Sequence, residues 1–127
     1  MTSSEKSDTE IVCLVDDDVS VLKSIERLLK SDGLSVRGFN KPKDFLSHVQ
    51  TNAVPLVVLD VWMPDMNGLE VQAALRKDSP ETRIIFISGR DDPSVRQAAL
   101  DAGAFGFLSK PFDDEALLQL VRKAAAA

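Results

Sequence analysis

Two apolar runs in this chain end in acid. IVCLV, residues 11–15, leads into Asp16, Asp17 and Asp18, and PLVVL, residues 55–59, leads into Asp60. Like charges about 4 Å apart repel by roughly 4 kcal/mol at an effective dielectric near 20, so converging carboxylates need protons or a cation. A hard divalent ion meets that need, because Mg²⁺ takes oxygen ligands, uses few carboxylates and keeps positions for water and phosphate oxygens. Ser88 closes the run RIIFIS, and Lys110 follows AFGFLS just before Pro111. A hydroxyl and an ammonium suit a transferred phosphoryl group, one donating a hydrogen bond and the other balancing residual charge. Transition-metal spacing is absent, since the single histidine, His48, has no Cys or His neighbour.

Each residue also has a plainer use. Asp18, beside the start of a helix, is assigned to capping it, where a carboxylate is favourable at the amino end. Ser88 alone reads as a strand-end turn residue and Lys110 alone as a solvated lysine. What points to a site is their coincidence: Asp16, Asp17, Asp60, Ser88 and Lys110 stand at four strand ends.

The elements that must position them alternate along the chain. IVCLV is a strand, and VLKSIERLLKSDG is a helix with Val21, Ile25, Leu28 and Leu29 on one face and Gly33 as its stop. The pattern continues with the strands LSVRGF, PLVVLD, RIIFIS and AFGFLS, and the helices PKDFLSHVQ, NGLEVQAALRK, PSVRQAALDAG and DDEALLQLVRKA. Five such units predict an open parallel sheet with helices on both faces, an α/β doubly wound, flavodoxin-like (βα)5 fold. Continuous apolar strands belong in the middle, whereas the alternating LSVRGF and the glycine-broken AFGFLS belong at the edges. The order 2-1-3-4-5 satisfies this. Winding then reverses between the first and third strands, and ligands of such sheets bind beyond the carboxyl ends at that point.

With 127 residues, 44% of them hydrophobic and 28% charged, the chain has material for one domain. The domain is expected over residues 10–125, after a frayed polar tail, MTSSEKSDT, at 1–9 and with 126–127 as its end. A lone cysteine, Cys13, cannot pair within the chain, and no segment reads as a membrane span or signal peptide. A cytoplasmic location is expected. The net charge of −5 argues against direct nucleic-acid binding, so proteins or small molecules are the expected partners.

The stretches LVDDD, VVLDVWMPDMNGLE, IIFISGR and GAFGFLSKPF resemble the motifs of the response-regulator receiver domain of two-component signalling, over about Ile11 to Val121. The resemblance implies a chemotaxis-regulator-like fold with Asp60 as phosphoacceptor. It makes Asp16 and Asp17 the acid pair for Mg²⁺, or Mn²⁺ in its place, with the Trp62 backbone carbonyl as a further ligand. Ser88 and Lys110 would contact the phosphoryl group, the Lys110–Pro111 bond would be cis, and Phe107 takes the position of the switch aromatic. The donor implied is a phosphohistidine on a sensor histidine kinase, or acetyl phosphate. Trp62 and Arg90, two residues after the acceptor and two after Ser88, take positions that tune hydrolysis in this family. The domain is not expected to be an enzyme beyond its own phosphorylation and slow dephosphorylation.

Other readings fit less well. A haloacid-dehalogenase-type phosphatase needs a general acid where Trp62 stands, and a flavin-binding flavodoxin needs a phosphate loop where the aspartates stand. A receiver-like interaction module regulated without phosphorylation is the remaining alternative; degenerate receivers usually lose an acid, the acceptor or the lysine, and all are present here. GFLSKPFDDEALL is similar to receivers of FixJ-type transcription factors. That implies transcription regulation: the chain is expected to be either a single-domain regulator or the receiver of a longer protein with a DNA-binding output domain, and the similarity favours the second. A phosphorylation-dependent homodimer through the fourth helix, fifth strand and fifth helix is a further expectation.

Overall fold

The computed structural model describes residues 11–126; the predicted tail at 1–9, the domain start at residue 10 and Ala127 lie outside the described residues. Five strands, β1 (Ile11–Val15), β2 (Ser35–Phe39), β3 (Leu56–Asp60), β4 (Arg83–Ser88) and β5 (Gly106–Ser109), alternate with five helices. These are α1 (Val19–Ser31), α2 (Pro42–Thr51), α3 (Gly68–Asp78), α4 (Pro93–Asp101) and α5 (Asp114–Ala126). All strand pairs are parallel and the order is β2-β1-β3-β4-β5, as the apolar runs require.

Alternation along the central strands divides the core in two. Cys13, Val15, Val57, Leu59, Ile84 and Phe86 pack with α2, α3 and α4, while Val12, Leu14, Leu56, Val58, Ile85 and Ile87 pack with α1 and α5. Because both faces are covered, every residue of β3 is buried, whereas the edge strand β2 has no fully buried residue. No helix among the described residues is long and apolar enough to cross a membrane.

Among the boundaries that differ from the periodicity, two have a local reason. The helix α1 begins at Val19, two residues before its first core-facing position, because the Asp18 side chain accepts from Ser20 N–H and Val21 N–H and so starts the helix early. Register pairing in β5 begins at Gly106, since Ala104 N–H closes the end of α4 on the Ala99 carbonyl. The predicted stop of α1 is present: Gly33, at φ +85°, and Leu34 donate back to the Lys30 and Leu29 carbonyls in a Schellman closure.

Candidate functional site

The carboxyl ends of β1, β3, β4 and β5 open on one crevice of about 360 Å³, lined by Asp16, Asp17, Asp18, Asp60, Trp62, Gly89, Arg90 and Lys110. Asp16 and Asp60 are buried and Asp17 is exposed, and carboxylate oxygens of the three lie within 4.8 Å of one another. Among the described residues this is the one grouping of Asp, Glu, His or Cys that could hold a metal ion. Its donors are all oxygens, the set a hard divalent cation prefers.

The Lys110 ammonium sits 3.2 Å from Asp16 Oδ2 and 3.8 Å from Asp60 Oδ1. Three carboxylates against one ammonium leave two negative charges in a half-closed space, which one divalent cation balances. Asp16 Oδ1 also accepts from Asp18 N–H at 2.9 Å, so one oxygen is fixed by the loop and the other by Lys110. Asp60 carries the electrostatic penalty. Burial first, then the Asp16 charge, pushes its carboxyl up to about 7, against the opposing pull of Lys110 and the Trp62 backbone N–H.

Local structure explains how Asp60 is presented. Val61 N–H continues the ladder onto the Ile87 carbonyl, and Gly68 N–H returns to the Val61 carbonyl, folding the loop back over the strand end. A Cβ at Gly68 would lie 2.7 Å from the Asp60 carbonyl oxygen and 2.9 Å from Phe86 Cε1, so this close approach excludes a side chain. Asn67 and Glu70 then start α3 with a reciprocal capping box. Gly68 was not singled out from the sequence; the Asn-Gly-Leu-Glu spacing signals a helix start but not the contact that demands glycine.

Ser88 is buried, beside rather than inside the acid cluster. Its Oγ accepts from Trp62 Nε1 at 3.0 Å and from Arg90 N–H at 3.2 Å, and donates to the Arg90 carbonyl at 2.7 Å. The Arg90 guanidinium stands 4.2 Å from the Trp62 ring centroid. Phe107 is half-buried, 6.0 Å from Phe86 and beneath the Arg96 guanidinium. The Lys110–Pro111 bond is cis.

A family model described as the response regulator receiver domain matches residues 12–122. The chain belongs to that family. The response regulator protein TodT of Pseudomonas putida is 41% identical over 114 residues, 90% of this chain and 50% of its own length. The transcriptional regulatory protein TdiR of Thauera aromatica is 38% identical over 126 residues, 99% of this chain and 56% of its own. Among solved structures, FixJ-N superposes with a TM-score of 0.85 at 30% identity, covering 91% of this chain and 93% of that one. This receiver domain thus spans about half the length of the curated relatives it matches. Its membership supports a phosphoacceptor role, and the acid cluster is the crevice in which such a role would be carried out.

Proposed function

We propose that this receiver domain accepts a phosphoryl group on Asp60 from the phosphohistidine of a sensor histidine kinase, with acetyl phosphate as an alternative donor. The observation that carries the reading is the convergence of Asp16, Asp17 and Asp60 around Lys110. The Asp16, Asp17 and Asp60 carboxylates and the Trp62 backbone carbonyl would hold Mg²⁺, or Mn²⁺ in its place. Bound there, the cation supplies the charge neutralisation that lets an anionic carboxylate meet an anionic donor.

In the transfer, an Asp60 carboxylate oxygen forms a bond to phosphorus as the donor's N–P bond breaks, and the electron pair leaves with the imidazole. Lys110 Nζ, already 3.8 Å from Asp60 Oδ1, donates to the phosphoryl oxygens. Ser88 adds its hydroxyl. As Ser88 moves toward the phosphoryl group, Phe107 turns into the space released and the face of α4, β5 and α5 changes. That face serves a phosphorylation-dependent homodimer, and a DNA-binding domain elsewhere in the full regulator carries the output to transcription, in the cytoplasm. The chemistry stays on the domain itself, with no external substrate turned over. Trp62 and Arg90 shield the acyl phosphate, so Trp62→Asn shortens its lifetime.

Intact mass after incubation with Mg²⁺ and acetyl phosphate tests the reading, beside a chelator control and Asp60→Asn. One added phosphoryl group, lost in both controls, is the expected result. Phosphorylation that persists in Asp60→Asn would move the acceptor elsewhere.

A further inference from the structure

The Ser88 hydroxyl has no capacity left. A hydroxyl offers one proton and two lone pairs. Here the proton goes to the Arg90 carbonyl, and the lone pairs take the Trp62 indole N–H and the Arg90 N–H. The residue is 1% exposed, so water does not compete for these positions. On the outer side, the indole that holds Ser88 is covered by the Arg90 guanidinium at 4.2 Å. The closed ring therefore runs from Ser88 to Trp62, across the stack to the Arg90 side chain, and back through the Arg90 backbone.

We infer that Trp62 is a positioning residue for Ser88: its indole N–H, clamped by the Arg90 side chain, latches the hydroxyl in a closed arrangement that must open before Ser88 can donate to a phosphoryl group on Asp60. The inference rests on the phosphoacceptor reading and concerns the regulation of that same site. To donate elsewhere, Ser88 has to give up the Arg90 carbonyl, and rotating its Oγ also withdraws the acceptor from the indole N–H. An indole nitrogen is donor-only, so it is left without a partner until the ring itself moves. Moving the ring breaks the stack with Arg90. The latch thus opposes the switched arrangement, and removing only the indole N–H favours it.

Beryllium fluoride, an acyl-phosphate mimic, provides the probe, titrated by calorimetry in saturating Mg²⁺. Trp62→Phe keeps a ring for Arg90 and deletes the N–H. It is expected to bind the mimic roughly 3- to 12-fold more tightly than the wild type, the equivalent of one hydrogen bond no longer to be broken. In a Ser88→Ala background the same substitution is expected to shift affinity by less than about twofold, because the latch has nothing to hold. Arg90→Lys, on an exposed residue, keeps the charge but loses the planar stack and is expected to tighten binding in the same direction. Equal or weaker binding by Trp62→Phe, or an equal shift with and without Ser88, overturns the latch alone. A wild-type domain that binds no beryllium fluoride at all overturns the phosphoacceptor reading, and the latch with it.

Discussion

Replacing Asp60 by asparagine should make the metal-free domain more stable, although it removes the proposed acceptor. Asp60 is buried beside Asp16, and its carboxyl is pushed up to about 7 from an ordinary 3.8. The folded state therefore keeps this proton up to about pH 7 while the unfolded chain releases it near 3.8. Between those values the native state binds more protons, so stability falls as pH rises through the window and the full penalty stands above it. A difference of roughly three pH units at 1.36 kcal/mol each gives a ceiling of roughly 4 kcal/mol. The crevice is open to water and the paired carboxylates relax, which reduces the expected gain to about 1–3 kcal/mol at pH 8. Lys110 keeps its 3.2 Å contact with Asp16, so the substitution does not strand the ammonium. Urea unfolding of both proteins in chelator, from pH 4.5 to 8.5, measures the effect. The gap should widen up to about pH 7.5 and then level, and saturating Mg²⁺ should narrow it by stabilising the wild type through binding. A gap independent of pH, or a variant less stable than the wild type, would refute the assignment of a desolvated, repelled carboxylate at Asp60.

Asp17 is the exposed member of the cluster, so Asp17→Asn should weaken Mg²⁺ binding by at least about tenfold in a titration of Trp62 fluorescence, with little change in unfolding midpoint. Asp18→Ala should do the opposite, costing about 1 kcal/mol through loss of the α1 cap while leaving Mg²⁺ affinity within about twofold. Gly68→Ala should cost about 1–3 kcal/mol in chemical denaturation and slow phosphorylation, because the new methyl group meets the Asp60 carbonyl and the Phe86 ring. Burial raises the Cys13 thiol to about 11, so labelling by a disulfide reagent at pH 8 should be slow in the folded domain and fast in urea.

Much of the molecule was legible because its physics is one-dimensional. A strand covered on both faces must be apolar throughout, so IVCLV, LVVL and RIIFI announce the middle of the sheet, and their order brings Asp16, Asp17 and Asp60 together without reference to any motif. Asp18 as a cap follows from its place next to α1. The contacts that were not legible depend on where a side chain or a loop turns in space. Nothing in VLDVWMP tells whether the indole two residues past the strand faces solvent or reaches Ser88, 26 positions away. Gly68 is demanded by atoms of β3 and β4, which the local sequence does not contain. The early start of α1 reflects competition between a side-chain cap and the apolar period, which a pattern of core-facing residues cannot register.

The hydrogen-bond ladder limits how a charge placed on Asp60 can be felt at the α4, β5 and α5 face. Between them lies β4, and its backbone is held on both sides at the critical end. The Ile87 carbonyl takes Val61 N–H at 3.0 Å, and the Ser88 carbonyl takes Lys110 N–H at 2.6 Å. Shifting that strand would break bonds to both neighbours inside a core packed to crystalline density. The groups outside that ladder are the side chains on it and over it: the Ser88 hydroxyl, the Trp62–Arg90 stack and the half-buried Phe107 ring beneath Arg96. Arg90 lies in the short loop that leads to Asp92 at the cap of α4, so the stack touches the segment that aims the helix. On the proposed phosphoacceptor reading, a signal leaving Asp60 would have the rearrangement of a few side chains as its means of transmission, with the sheet as the fixed frame against which they change.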